Sequence, residues 1–113
     1  MIKTITYEEF ERVDLRLGTI IKVEEFPRAK KPAFKVWVDF GPEIGVLQTS
    51  AQVTVHYTPE SLIGNQVMGC VNLGEKNIAG FKSNFLLTGF SDEKGDICLV
   101  TVSPQVPNGK KLC

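Results

Sequence analysis

The fold is decided by one stretch, Leu15-Arg16-Leu17-Gly18-Thr19-Ile20-Ile21-Lys22-Val23-Glu24. Its odd-numbered positions from Leu15 to Val23 hold only apolar residues and one threonine, and this period of two predicts a β-strand with those side chains on one face. Glycine inside a strand often marks a bend or a close approach of backbone, so Gly18 predicts one here. We expect a strand long and bent enough to serve both sheets of a small closed barrel.

The second strand is predicted by Phe34, Val36, Val38 and Phe40, which alternate with other residues so that four apolar side chains point inward. Trp37 falls on the opposite face. It could stack on a base, pack in a subunit interface or lie under the helices, and packing is favoured because large aromatic side chains dominate cores and interfaces. Further strands are predicted at residues 44–49, 66–73, 85–89 and 97–102.

Two short helices are predicted by their capping residues. Thr6 followed by Glu9 is a capping box, which predicts a helix over residues 7–12. Thr58-Pro59 begins a second helical turn that ends before Gly64, between the third and fourth strands. The order of elements predicts an all-β, OB-fold five-stranded barrel with these two helices. At this length, we expect residues 1–113 to form a single domain.

The composition limits the classes of function. The 113 residues include 13 basic and 13 acidic side chains, so the formal net charge is zero and any nucleic-acid site must be a local patch. No apolar run has the length of a membrane span, and the N-terminus lacks the apolar core of a signal peptide. We therefore expect a cytoplasmic protein with no membrane insertion.

Metal binding and catalysis are not expected. Cys70, Cys98, Cys113 and His56 are the only cysteines and histidine, and they lack the paired spacing of a closed four-ligand zinc site. We expect Cys70 and Cys98 to be buried thiols in apolar runs and Cys113 to be a free thiol on the tail. His56 has no recognisable third group to orient it as a base, so it is expected to pack beside Tyr57. No cofactor is predicted.

The working surface is predicted in residues 71–89, a segment that mixes polar and apolar side chains between the fourth and fifth strands. A second candidate is the basic loop, residues 26–32 (Phe-Pro-Arg-Ala-Lys-Lys-Pro), which carries three cations between two prolines. The basic loop is either an ordinary solvated loop or a lip that binds phosphates with the help of Lys35. The second interpretation requires it to lie beside residues 76–83.

Several motifs resemble a known family. Asp14-Leu15-Arg16-Leu17-Gly18-Thr19-Ile20 resembles the opening motif of the dimeric structure-specific tRNA-binding domain, which occurs alone and appended to methionyl- and phenylalanyl-tRNA synthetases. The chain is further similar to the CsaA-type branch of export-related chaperones at Lys31-Pro32-Ala33-Phe34-Lys35-Val36, at Asp39-Phe40-Gly41-Pro42-Glu43-Ile44-Gly45 and at Thr49-Ser50-Ala51-Gln52-Val53-Thr54. The similarity continues at Asn72-Leu73, at Asn77-Ile78-Ala79-Gly80-Phe81-Lys82-Ser83 and at Leu86.

The resemblance implies an OB-fold homodimer that binds tRNA, unfolded or secretory polypeptides, or both, on a composite surface; the alternative is a tRNA-binding protein with no chaperone role. It also implies that Ser83 and Leu86 contact the ligand. In the tRNA hypothesis, cations meet phosphates while amides and hydroxyls meet sugars and base edges; the residues are Lys30, Lys31, Lys35, Lys76, Lys82, Gln52, Asn72, Asn77 and Ser83. In the polypeptide hypothesis, Phe81, Phe85 and Trp37 line an apolar groove between subunits.

Overall fold

A computed structural model describes residues 2–113. The elements in chain order are α1 (Tyr7–Glu11), β1 (Leu15–Glu25), β2 (Phe34–Asp39), β3 (Val46–Ala51), α2 (Pro59–Leu62), β4 (Gln66–Cys70), β5 (Lys76–Ile78), β6 (Phe81–Ser83), β7 (Leu86–Leu87), β8 (Gly89–Ser91) and β9 (Ile97–Leu99). Neither helix within these residues has the length or apolar character needed to span a lipid bilayer.

The chain folds into a five-stranded antiparallel sheet in the order β3-β2-β1-β4-β7. The sheet curls until its two edge strands approach each other. There the backbone N–H of Asn84, just before β7, donates to the carbonyl oxygen of Gln48 in β3 at 2.8 Å. The result is a nearly closed barrel with two short helices, which confirms the predicted OB-type architecture. Two small hairpins, β5-β6 and β8-β9, stand outside this sheet.

β1 is the strand that joins the two halves of the barrel. Its first half pairs with β4 and its second half with β2, and the two pairings meet at Thr19. Gly18 makes this possible, since a Cβ built there would lie only 2.6 Å from Val38 Cγ1 and 2.8 Å from the Phe40 ring. The close approach predicted for Gly18 is confirmed.

The predicted alternation along β1 is wrong at Ile20 and Ile21. The register of β1 against β2 shifts between Ile20 and Lys22, which is a β-bulge that leaves Ile21 unpaired. Before the bulge, Ile20 is buried, with 1% exposure, while Ile21 is 48% exposed. The extra residue then reverses the inward and outward positions, so Val23 packs against the core as predicted.

The core lies inside the barrel, and β2 supplies much of it. Phe34, Val36, Val38 and Phe40 are all buried, as predicted from their spacing. The Phe40 ring meets Phe85 edge to face at 5.1 Å between centroids, an arrangement aromatic pairs prefer.

Both predicted helices are present with their caps. In α1, the Thr6 side chain accepts from the Glu9 backbone N–H, and Glu9 accepts in return from the Thr6 backbone N–H. Thr58 and Ser61 form the same reciprocal pair in α2, where Pro59 begins the helix and Leu62 enters the core. By contrast α1 contains no buried residue.

Several strand boundaries differ from those predicted. The third strand begins and ends two residues later than expected, at Val46–Ala51. The fourth ends at Cys70, so Leu73 is exposed beyond it. The predicted fifth strand is divided between β7 and β8, and β9 ends at Leu99. The expected loop between the fourth and fifth strands contains the β5-β6 hairpin, which the sequence did not predict.

Candidate nucleic-acid interface

The β5-β6 hairpin, residues 76–83, is fixed to the barrel by an aromatic cluster. The centroid of the Phe81 ring lies 5.7 Å from that of Phe26 and 5.8 Å from that of Trp37, and both pairs are edge to face. Lys35 Nζ lies 5.0 Å from the Phe26 centroid and 5.1 Å from the Phe81 centroid, within the range of a cation–π contact. Phe81 therefore anchors the hairpin, and Trp37 packs within the chain.

Hydrogen bonds complete the attachment of the hairpin to β3. The Gln48 side-chain amide donates to the Lys82 carbonyl oxygen at 2.8 Å, and the Ser50 backbone N–H donates to Ser83 Oγ at 3.1 Å. The indole N–H of Trp37 donates to the Gln48 side-chain oxygen at 3.1 Å. Gln48 thus connects the aromatic cluster to the hairpin backbone.

The turn of the hairpin consists of two residues, Ala79 and Gly80, both with positive φ of 50° and 84°. Positive φ at both central positions is the requirement of a type I′ turn, whose twist matches that of the flanking strands. The Gly80 backbone N–H donates to the Asn77 side-chain oxygen at 3.0 Å. Asn77 therefore stabilises the turn.

The basic loop lies beside this hairpin, as the phosphate-binding interpretation required. A Cβ built on Gly80 would lie 3.8 Å from the Arg28 guanidinium, and Phe26 contacts Phe81. Between the loop and the hairpin runs a groove of about 850 Å³. We call it the main groove; its lining consists of residues 28–31, 33, 50–53, 78–79, 86–89 and 97.

The electrostatic character of the main groove is positive although the chain is neutral. Arg28, Lys30 and Lys31 line it, and no carboxylate does among the residues that the structure describes. None of the ion pairs formed within residues 2–113 involves these three cations. The three cations are therefore free of ion pairs there, and an anionic ligand in the groove would meet them.

Eight of the ten predicted contact residues form three sets by position. Four of them line the main groove: Lys30, Lys31, Gln52 and Leu86. Lys76, Asn77 and Lys82 are exposed on the hairpin, where Asn77 pairs with Lys82 on the face opposite to Phe81. Lys35 lies under the hairpin at the aromatic cluster.

Asn72 and Ser83 have structural roles. The Asn72 side chain accepts from the Asp14 backbone N–H at 3.0 Å and donates to the Arg12 carbonyl oxygen at 2.6 Å, so it ties α1 and β1 to the end of β4. It does not line the main groove. Ser83 is 7% exposed, and its hydroxyl accepts the Ser50 N–H, so the structure gives a ligand little access to it.

The apolar lining of the main groove does not include Phe81, Phe85 or Trp37. Phe85 is buried in the core with 4% exposure, and Phe81 and Trp37 are held in the aromatic cluster, so none of the three lines the groove. Besides Leu86, its apolar lining comes from residues that were not predicted as contacts: Ala29, Ala33, Ala51, Val53, Ile78, Ala79, Leu87 and Ile97. Arg28 was recognised only as one of three cations in its loop.

A second constellation lies apart from the main groove. His56 Nε2 lies 2.7 Å from an Asp92 carboxylate oxygen, and Cys98 Sγ is part of the same group. The hydrogen bond from His56, followed by that from the Asp96 backbone N–H, lowers the pKa of Asp92. His56 packs against Tyr57 as predicted, but Asp92 supplies the orienting group that the sequence did not reveal. Cys98 is exposed, so the prediction that it is buried is wrong, whereas Cys70 is buried.

Comparison with known proteins identifies the family. A family model described as a tRNA binding domain matches residues 15–111. The chain belongs to this tRNA binding domain family. The match covers all of β1 to β9 and the loops that form the main groove, so the interface described above lies wholly within the tRNA binding domain.

Solved structures of small proteins share the whole architecture of this tRNA binding domain. The chaperone CsaA from Bacillus anthracis str. Ames is 43% identical with a TM-score of 0.91, and the alignment covers 98% of this chain and 100% of that one. The CsaA chaperone protein from Picrophilus torridus is 37% identical with a TM-score of 0.89, covering 97% and 100%. The resemblance to the CsaA-type branch is thereby confirmed.

A sequence relative is much longer. The methionine–tRNA ligase of Methanocaldococcus jannaschii is 30% identical over 111 residues, which are 98% of this chain but 17% of the ligase. The chain therefore corresponds to a small part of that enzyme. The family that matches it is a tRNA binding domain and not a catalytic one.

Proposed function

We propose that this chain is a cytoplasmic, single-domain homodimer that binds tRNA along the main groove and the outer face of the β5-β6 hairpin, the face opposite to Phe81 that carries Asn77 and Lys82. The observation that carries the proposal is the position of the basic loop directly beside the hairpin, with three cations that form no ion pair on the groove between them. Family membership supports tRNA as the nucleic acid.

The chemistry of the two surfaces suits a folded RNA backbone. Arg28, Lys30 and Lys31 can neutralise phosphates, which dominate affinity for nucleic acids. Gln52, which lines the groove, adds an amide that can donate and accept hydrogen bonds. Recognition of RNA by shape relies on such contacts to phosphates and 2′-hydroxyl groups. Lys82 extends the positive surface on the face of the hairpin opposite to Phe81, and Lys76 is exposed on the other face.

Charge reversal on the hairpin tests tRNA binding. Lys82→Glu places a carboxylate on the outer face, and we expect tRNA affinity to fall at least tenfold at low salt. The matched control is Lys94→Glu in the β8-β9 turn, which makes the same charge change away from the main groove. Equal loss in both variants, or no complex of the native chain with tRNA at low salt, contradicts the proposal.

A second candidate function is the binding of unfolded polypeptides, and the apolar lining of the main groove favours it. Leu86 is 52% exposed within the groove, next to Ile78 and Leu87. Exposed apolar residues in a concave surface suit an extended peptide. The structural similarity to two proteins described as CsaA chaperones supports this activity.

Suppression of aggregation tests the second function. A chemically unfolded client is diluted with the native protein, with Leu86→Asn, or with Leu112→Asn, a control that changes a leucine of similar exposure outside the groove. We expect Leu86→Asn to suppress aggregation less than the other two. Lys82→Glu should leave suppression unchanged, because Lys82 does not line the groove. Absence of suppression by the native dimer, with tRNA binding intact, leaves a tRNA-binding protein with no chaperone role.

The proposed dimer is supported by apolar surface near the N-terminus. α1 has no buried residue, and its neighbourhood exposes Ile2, Ile5, Tyr7 and Val13 at 95, 60, 66 and 46%. A twofold interface is the commonest way to cover such surface. Sedimentation velocity at micromolar concentration should give the mass of a dimer, and a Tyr7→Glu variant should shift the equilibrium toward monomer. A monomeric native protein contradicts the dimer.

A further inference from the structure

Three side chains with different metal-ligating atoms converge between the loop before α2 and the β8-β9 hairpin. His56 offers a ring nitrogen, Asp92 a carboxylate oxygen and Cys98 a thiol, and these atoms all lie within 4.8 Å of one another. His56 and Asp92 already touch at 2.7 Å. Asp92 and Cys98 share the β8-β9 hairpin, whereas His56 lies 36 residues before Asp92, so the fold brings the loop and the hairpin together.

Two backbone hydrogen bonds hold Asp92 in place through one of its two carboxylate oxygens. Its Oδ1 atom accepts the backbone N–H groups of Lys94 and Asp96, both at 2.9 Å. The other oxygen, Oδ2, is the one directed at His56 Nε2. Such outer hydrogen bonds orient a ligating carboxylate and are typical of metal sites.

The other two residues are fixed by their chain neighbours. Tyr57, next to His56, accepts the Leu99 backbone N–H on its hydroxyl at 2.8 Å, and Leu99 follows Cys98. This bond holds the loop against β9 without using either ligand atom. The backbone around the three residues is therefore already ordered before an ion binds.

We propose that His56, Asp92 and Cys98 form a three-ligand Zn²⁺ site. Imidazole nitrogen, thiolate sulfur and carboxylate oxygen are the donors zinc takes, and three protein ligands leave a fourth position for water or a further ligand. The thiolate disfavours Mg²⁺ and Ca²⁺, which prefer oxygen. On binding, the Cys98 thiol proton and any proton shared between His56 and Asp92 pass to solvent, and the ion takes the place of that hydrogen bond.

The geometry requires only a small adjustment. Tetrahedral zinc with bonds of about 2.0–2.3 Å separates its ligand atoms by about 3.2–3.8 Å. The His56 and Asp92 atoms would move apart by roughly half an ångström from 2.7 Å, and Cys98 would approach from within 4.8 Å. The exposed side chains of His56 and Cys98 can make these movements by rotating.

Titration with Co²⁺ tests the site, because a thiolate bound to Co²⁺ gives an intense near-ultraviolet charge-transfer band. The chelator-treated full chain should develop this band with one equivalent of Co²⁺, and Zn²⁺ should abolish it. Cys98→Ser should remove the band, and His56→Gln should weaken Co²⁺ binding at least tenfold. Cys113→Ser is the matched control, since it removes an exposed thiol outside the group.

The variants also separate this site from adventitious binding. Zn²⁺ should raise the melting temperature of the native chain and of Cys113→Ser, but not of Cys98→Ser, and circular dichroism checks that each variant is folded. The proposal is overturned if the band is absent from the native chain, survives in Cys98→Ser, or disappears in Cys113→Ser. Neither result depends on tRNA or polypeptide binding.

Discussion

Replacing Phe81 with alanine should loosen the β5-β6 hairpin while the barrel stays folded. Phe81 joins the hairpin to the barrel through two edge-to-face pairs, with Phe26 and Trp37. Its position outside the core of the barrel means that its loss leaves the packing around Phe40 and Phe85 intact.

The size of the effect follows from these contacts. Each aromatic pair contributes about 0.5–1.5 kcal/mol beyond burial, and the Lys35 contact adds roughly 0.5–1 kcal/mol at a partly exposed site. We therefore expect Phe81→Ala to lower the free energy of unfolding by about 1.5–4 kcal/mol. A small domain has about 5–15 kcal/mol in total, so the variant should fold.

Phe90→Ala is the matched control, because Phe90 is 74% exposed and the ring clusters described within residues 2–113 do not include it. Its loss should change the free energy of unfolding by no more than about 0.5 kcal/mol. Urea denaturation at two protein concentrations measures both variants and separates any contribution from dimer dissociation. Hydrogen exchange should show faster exchange of the hairpin amides in Phe81→Ala alone. Equal destabilisation by both variants, or unchanged exchange in the hairpin, would refute the anchoring role.

Three further predictions concern the barrel and its caps. Gly18→Ala should destabilise the fold by about 1–3 kcal/mol in urea denaturation, since the new Cβ meets the Asp39 carbonyl oxygen at 2.8 Å as well as core side chains; a neutral substitution would show that the approach is not close. In the monomer, Thr58→Ala should cost about 1 kcal/mol because α2 carries buried Leu62, whereas Thr6→Ala should cost less because α1 buries nothing within its own chain; the reverse order in the monomer would contradict these roles. The lowered pKa of Asp92 means that its ionised form stabilises the fold above the ordinary carboxyl pKa and that this stabilisation is lost as the pH falls through the lower folded value. The stability difference between the native chain and Asp92→Asn should therefore shrink in acid, and a difference that is constant with pH would contradict this.

Much of the fold could be predicted because the deciding signals are local. The reciprocal bonds of Thr6 with Glu9 and of Thr58 with Ser61 involve residues three apart. The alternation of β2 faces a single core, so its inward residues were correctly predicted. Gly18 was also informative, since only the absence of a side chain permits the crowding around it.

The missing features depend on tertiary contacts or on weak turn signals. The bulge at Ile21 is set by pairing with β2 and leaves no mark in the sequence of β1. The hairpin turns at Ala79-Gly80, where alanine adopts a positive φ that Asn or Asp usually supplies. Asn72 and Ser83 look like contact residues in sequence, yet their side chains are hydrogen-bonded to Asp14, Arg12 and Ser50. The approach of Asp92 to His56 spans 36 residues.

The salt dependence of tRNA binding by a triple variant of the basic loop tests the central claim most directly. The variant combines Arg28→Ala, Lys30→Ala and Lys31→Ala, and the control combines Lys3→Ala, Lys94→Ala and Lys110→Ala, three cations outside the main groove. Each phosphate contact contributes a slope of about −0.7 to −0.9 in log K against log salt. The loop variant should therefore lose about 2–3 from the magnitude of the slope while the control keeps the native slope. Equal slopes in the two variants would contradict a phosphate-binding role for the basic loop.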